Sequence, residues 1–183
     1  MKYRDIGIPD EYRYDEFLYV PAANAGVAVF VRNEEPQVSR IFWRQSEDDN
    51  YVMIPVSEPD YSLDSCRPSL GSKSIYYIVT QRRKPEGHKG YGGYWISLNK
   101  FSLDTQLETT LVDKDSLGEM TGASGSWISR ILSISPDDSE IDVVAAIREP
   151  TKNGWAEMKY GVYRIAFESK RIALRLKMPA VFI

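Results

Sequence analysis

The stretch EGHKGYGGYW, residues 86–95, holds the only histidine of the 183-residue chain inside a glycine-rich segment. Acid–base chemistry near neutral pH would have to pass through His88. A hydrolase or lyase built on this chain would use His88 as general base and Arg82 or Arg83 to stabilise an anion. The other parts of such a site are missing from the sequence. GASGSW, residues 122–127, puts Gly125 directly after Ser124, one position too early for a G-x-S-x-G nucleophile elbow. The glycines from Gly87 to Gly92 have G-x-x-G-x-G spacing, but a phosphate loop opens a helix, and the YWISLNKF that follows reads as a strand.

Metal chemistry finds no better support, because one His and one Cys cannot supply a zinc ligand set. Asp48-Asp49-Asn50 and Asp137-Asp138 lack the spaced ligands of a calcium loop and read as hairpin turns. Cys66, the only cysteine, forbids an internal disulfide and reads as a small buried hydrophobe. No catalytic residue, cofactor or metal is therefore assigned, and the chain reads as a binding protein rather than an enzyme.

Composition sets the frame. With 43% hydrophobic, 27% charged and 12% aromatic residues, residues 1–183 are expected to fold as one domain. A formal net charge of −3 argues against a nucleic-acid footprint. The basic clusters Arg82-Arg83-Lys84 and Lys170-Arg171 both have acidic neighbours. The N-terminus has no apolar signal core, and no run approaches the ~18 apolar residues of a membrane span. A soluble cytoplasmic protein with no membrane partner is the expectation.

The elements that would position any site come from a pattern used three times. FLYVPAANAGVAVFV (17–31), LDSCRPSLGSKSIYYIV (63–79) and ILSISPDDSEIDVVAA (131–146) each read as a short strand, a turn at Pro21, Pro68 or Pro136, and a β-branched or aromatic strand. Each is followed by an aromatic strand, a polar hairpin and an amphipathic strand. In the last of these, Ile172, Leu174 and Leu176 alternate with Arg171, Arg175 and Lys177. The spacing predicts an all-β chain of three four-stranded antiparallel blade-like meanders, over approximately 15–56, 63–112 and 128–177, forming a partial β-propeller. An irregular β-sandwich is the alternative.

Ser135-Pro136-Asp137-Asp138 followed by IDVVAA, with GVYRIAFESKRIALRL after it, resembles the repeat of TolB-type, WD40-like β-propellers. That family's turn is Ser-Pro-Asp-Gly, so Asp138 stands where it has glycine; the first two copies lack Ser-Pro-Asp, and the family's secretory signal is missing. The resemblance implies a fold and transfers no catalytic residue.

Closed propellers have about four to eight blades, so three would leave sheet faces uncovered. Pairing of two copies into a homodimer through open blade edges, irregular self-closure or a foreign chain would each solve this. Met178-Pro179-Ala180-Val181-Phe182-Ile183 is expected to pack as an edge strand or at an interface. Meander topology puts the connections 33–37, 81–93, 113–126 and 148–158 on one face. The short turns at 22–25, 69–73 and 137–139, and those near Asp48, Asp104 and Ser169, lie opposite. Recognition usually sits on long loops over a rigid scaffold. The expected binding surface is Arg82, Arg83, His88, Tyr91, Met120, Arg148, Lys152, Asn153 and Trp155, and its expected partner is another protein. An inhibitor or immunity-type role fits the acidic charge. A further alternative is a small ligand in the propeller channel beside Ser65, Cys66 and Arg67.

Overall fold

The computed structural model describes residues 16–21, 27–33, 38–44, 50–55, 61–71, 73–81, 95–152 and 156–179. Among them, twelve strands form three antiparallel sheets of four. The first sheet contains β1 (Glu16–Pro21), β2 (Val27–Asn33), β3 (Val38–Arg44) and β4 (Val52–Ile54). The second contains β5 (Tyr61–Pro68), β6 (Ser74–Gln81), β7 (Trp95–Ser102) and β8 (Leu107–Asp113). The third contains β9 (Trp127–Ile134), β10 (Glu140–Pro150), β11 (Ala156–Ala166) and β12 (Arg171–Lys177). Strands that follow one another in sequence are neighbours in each sheet, so every sheet is a meander. The fold is an all-β, partial propeller-like stack of three blade-like sheets, not the two facing sheets of a sandwich.

The stacking follows chain order. β5 lies against the first sheet, and β9 lies against β5, β6 and β7 of the second. The middle sheet is therefore covered on both sides, which explains why SIYYIV in β6 is apolar without alternation. Ile75, Tyr77 and Val79 join Ile41, Trp43 and Ile54 in one core cluster. Tyr76 and Ile78 point the other way, into a cluster with Ile131, Val143, Tyr163 and Ile165 of the third sheet. Cys66 sits in the first cluster, and burial pushes its thiol up to about 12, so it stays protonated and inert near neutral pH.

Two edge strands meet at the second junction. Ser65 Oγ accepts a hydrogen bond from the Ile131 N–H, and Arg67 Nε donates to the Ile131 carbonyl, each at 3.1 Å. Register shifts in the β9–β10 ladder on either side of Ile131 bend β9 at this point. Buried Ser65 and Cys66 therefore bind the sheets together, so of the three residues expected beside a channel only Arg67 is exposed.

A second set of contacts joins these sheets at the short-turn end. Asp138, with φ of 58°, occupies the left-handed region that a glycine would tolerate more easily. Its carboxylate reaches 3.7 Å from Lys100 Nζ, and Lys100 in turn lies 5.5 Å from the centre of the Tyr76 ring. Tyr76 also stacks on Phe167 at 6.3 Å. Burial, followed by the nearby Asp138 carboxylate, raises the Tyr76 phenol above its ordinary value. Aspartate in place of glycine gives the turn a charged group that reaches the preceding sheet.

Two features depart from the sequence reading. First, 113–126 is not simply a loop, because it contains α1 (Lys114–Thr121). Asp113 caps this helix: its Oδ1 accepts from the Ser116 N–H and its own N–H donates to Ser116 Oγ, both at 2.8 Å. Gly122, with φ of 73°, ends it. Second, the alternation in β12 breaks. Leu174 pairs with Tyr163 but Leu176 pairs with Val162, so a bulge at Arg175 turns Leu176 to the opposite face from Ile172 and Leu174. The ladder continues to Met178, whose N–H donates to the Tyr160 carbonyl at 2.9 Å. Residues 180–183 of the expected apolar tail lie outside the described residues.

The outer face of the third sheet carries an acid-sensitive pair. Arg164 donates from Nε and Nη2 to the two oxygens of Asp142, each at 2.8 Å, and this holds the Asp142 carboxyl below its ordinary value. In the nearby turn, hydrogen bonds from the Ser135 and Ser139 hydroxyls hold Asp137 down at about 2. Both carboxyls bind protons less readily in the folded state, so their contribution is present above about pH 4 and is lost as the pH falls through the folded values. The thermal midpoint is expected to fall between about pH 4 and pH 2, and Asp142→Asn should flatten that slope. Calorimetry across this range checks it; an unchanged slope in the variant would mean that the pair contributes nothing.

Candidate functional site

The long-loop end of the second and third sheets is built from the end of β6, the start of β7, α1, the start of β9 and the end of β10. Here the two sheets diverge around a cavity of about 590 Å³. Among the described residues its lining comprises Thr80 and Ile96 of the second sheet, Lys114 of α1, and Gly125 to Ser129 at the start of the third sheet. Ile96, Trp127 and Ile128 make that lining largely apolar. The volume falls within the range of about 300–1,000 Å³ typical of ligand pockets.

α1 holds the cavity's third side in place. Leu117 is 2% exposed and Met120 packs partly buried against the same core cluster, so the helix is fastened across the junction of the sheets. The chain then turns at Gly125, with φ of 93°. A Cβ there would come 3.2 Å from Arg148 Nη1, so the arginine lies against the glycine that forms the wall. Ser126 fixes the same corner from below: its buried hydroxyl accepts from the Arg148 N–H at 2.8 Å and lies 3.5 Å from Thr121 Oγ1. Trp127, 40% exposed, pairs across the ladder with Ala146, two positions before Arg148.

Of the sequence-predicted residues, three fall among those described. Arg148 is exposed on β10, and among the described residues its guanidinium has no carboxylate or hydrogen-bond partner. Lys152 is exposed in the turn after β10. Met120 belongs to the core side of α1, so its apolar surface is largely spent on packing rather than offered to a partner. Arg82, Arg83, His88, Tyr91, Asn153 and Trp155 lie outside the described residues. Sequence reasoning missed Trp127, Lys114 and Gly125. The available signals were Asp113 and Gly122 bracketing a helix and an aromatic residue opening β9.

No family profile matches the chain, and no curated protein matches it. Among solved structures it is similar to TolB from Acinetobacter baumannii, at 8% identity and a TM-score of 0.45. That similarity covers 91% of this chain and 44% of the TolB chain, so the chain spans less than half the length of the structure it matches. Among the described residues no cluster of His, Cys, Asp or Glu could hold a metal ion, and no helix is long and apolar enough to cross a membrane.

Proposed function

We propose that the chain is a non-enzymatic interaction module that binds another protein through its long-loop face. The observation that carries this reading is the apolar cavity of about 590 Å³ on that face, with half-exposed Trp127 in its wall and Arg148 against its rim. Tryptophan and arginine are the side chains most enriched among interface anchors, because each brings large area or forked hydrogen bonding to one point. The opposite end offers short turns, several of them tied down by their own hydrogen bonds. An inhibitor or immunity-type role is one form this module would take.

Site-specific photocrosslinking of the full chain in its native extract tests the reading. A photoreactive residue at Lys152 or Trp127 should give a discrete adduct, and one at Asp104 or Ser169 on the short-turn end should not. An adduct of twice the chain mass would identify a second copy as the partner; the exposed outer strand β12, with Leu176 61% exposed, favours that variant of the reading. Adducts confined to the short-turn end would overturn the assignment of the face.

A further inference from the structure

Beyond the loop face, and independently of it, we infer that the free edge of β12 takes up an acidic, extended segment of a foreign protein as a fifth strand of the third sheet. β12 ends the strand order β12-β11-β10-β9, and its far side meets no strand among the described residues. The Met178 N–H donates to the Tyr160 carbonyl at 2.9 Å, so the N–H and carbonyl of the adjacent Lys177 point away from β11. Such open backbone groups are a template for one more strand.

Charge names the occupant. Residues 170–177 carry Lys170, Arg171, Arg175 and Lys177 and no acid, in a chain whose formal net charge is −3. All four are exposed, and among the described residues none of their side chains has a hydrogen bond or ion pair. Acids do lie in the region. Arg164 holds Asp142 with two hydrogen bonds and Glu140 at 3.1 Å, and Glu168 in the preceding turn is exposed. α1, which lies beside β12, carries Asp115 and Glu119 exposed. None of these carboxylates is bonded to the four cations, and Arg175 acts on Asp142 only through its charge. The edge is therefore left with positive charge that an acidic segment would complement.

An edge guarded against aggregation needs only charge and irregularity, and the bulge at Arg175 supplies the second. β12 adds two leucines between its cations, Leu174 at 44% and Leu176 at 61% exposure, on opposite faces of the sheet. A strand laid alongside would cover both. A second β12 does not fit, since antiparallel self-pairing centred on Leu174 sets Arg171 against Lys177 twice. A second copy meeting Leu176 would come against the sheet face and leave the edge open. A nucleic-acid strand could meet the charges, but it has no row of N–H and carbonyl groups to offer the backbone.

The test uses the full-length chain and the peptide acetyl-Glu-Val-Glu-Val-Thr-Val-Glu-amide, with a control carrying lysine for glutamate. Two further forms of the acidic peptide are N-methylated at every odd or every even residue. The acidic peptide is expected to bind at least about tenfold more tightly than the basic one, and to slow exchange of the Lys177 amide at least about tenfold. One N-methylated form should lose binding and the other keep it, because a strand pairs through alternate residues along one edge. Arg171→Glu combined with Lys177→Glu, both at exposed positions, should reverse the preference between acidic and basic peptides. Leu176→Ser should weaken binding of the acidic peptide severalfold.

Equal binding of both N-methylated forms and their parent would overturn the inference, because the attraction would then be charge alone. Equal binding of the basic peptide would overturn it too. So would decathymidylate binding more tightly than the acidic peptide, which would make nucleic acid the ligand, or a Lys177 amide already protected in a dimer of the free chain. Crosslinking at the loop face is a separate readout, so the two readings stand or fall separately.

Discussion

Replacing Gly161 by valine is expected to lower stability by about 2–4 kcal/mol, the range of severe overpacking. Gly161 lies in β11 opposite Lys177, beside the bulge at Arg175. A Cβ at this position would stand 2.4 Å from the Leu176 carbonyl oxygen and 2.7 Å from Leu174 Cδ1. The first neighbour is backbone, which cannot swing aside as a flexible side-chain end can. β12 would have to move away from β11, losing ladder hydrogen bonds as well as the packing of Ile172 against the core. For a chain of this size the loss corresponds to a fall of roughly 5–15 °C in thermal midpoint. Gly161→Ala should show a smaller loss of the same sign. Hydrogen exchange should report the damage first at Leu174 and Leu176. A midpoint within about 1 °C of the parent for the valine variant would show that the two strands separate at little cost.

Leu117→Ala is the second large effect, expected to cost about 3 kcal/mol as a buried leucine truncated in a close-packed site. α1 is only eight residues long and would not be stable in isolation. Its side chain at Leu117 belongs to the cluster that also contains Val112, Ile128 and Ile147, so it bridges the second and third sheets. The loss should therefore appear in the global denaturation curve and not merely as fraying of the helix. A denaturant midpoint that stays put while exchange rises only in 114–121 would show instead that α1 opens independently of the sheets. Ser116→Ala provides a milder comparison: it removes one half of the capping box, with an expected cost of about 1 kcal/mol.

Much of the fold was legible because strand periodicity is a local property. SIYYIV in β6 reads as a strand rich in β-branched and aromatic residues, and the structure covers it with the first sheet on one side and the third on the other. IDVVAA in β10 reads as a β-branched strand after the turn, and within it Ile141 and Val143 are buried whereas Asp142 pairs with Arg164 on the other face. The Ser-Pro-Asp-Asp turn was visible too, since Ser135, Pro136 and Asp137 make its hydrogen bonds and bend within five residues.

The candidate site was less legible. Residue type and the face its connection shares single out Arg148, but Trp127 falls between the 113–126 connection and the blade expected from 128, so nothing singles it out. Met120 was assigned to a loop surface, yet it packs inward because α1 forms there. An eight-residue helix has too few turns for its periodicity to stand out, so its caps at Asp113 and Gly122 were the only strong signals.

The sequence by itself determined the three meanders, the end on which the long connections gather and the absence of a second histidine or cysteine to build a catalytic or zinc site. Those follow from residue type and from spacing within about ten positions, where sterics and side-chain alternation act directly. Only the tertiary structure decided that Ser65 and Arg67 engage Ile131, that Asp138 reaches Lys100, that the bulge at Arg175 turns Leu176 outward, and that Gly125, Trp127 and Lys114 surround one cavity. Most of these contacts join residues far apart in the chain, and the Arg175 bulge depends on how β12 registers against β11. Their geometry is set by how whole sheets stack to bury apolar area, which no local stretch encodes.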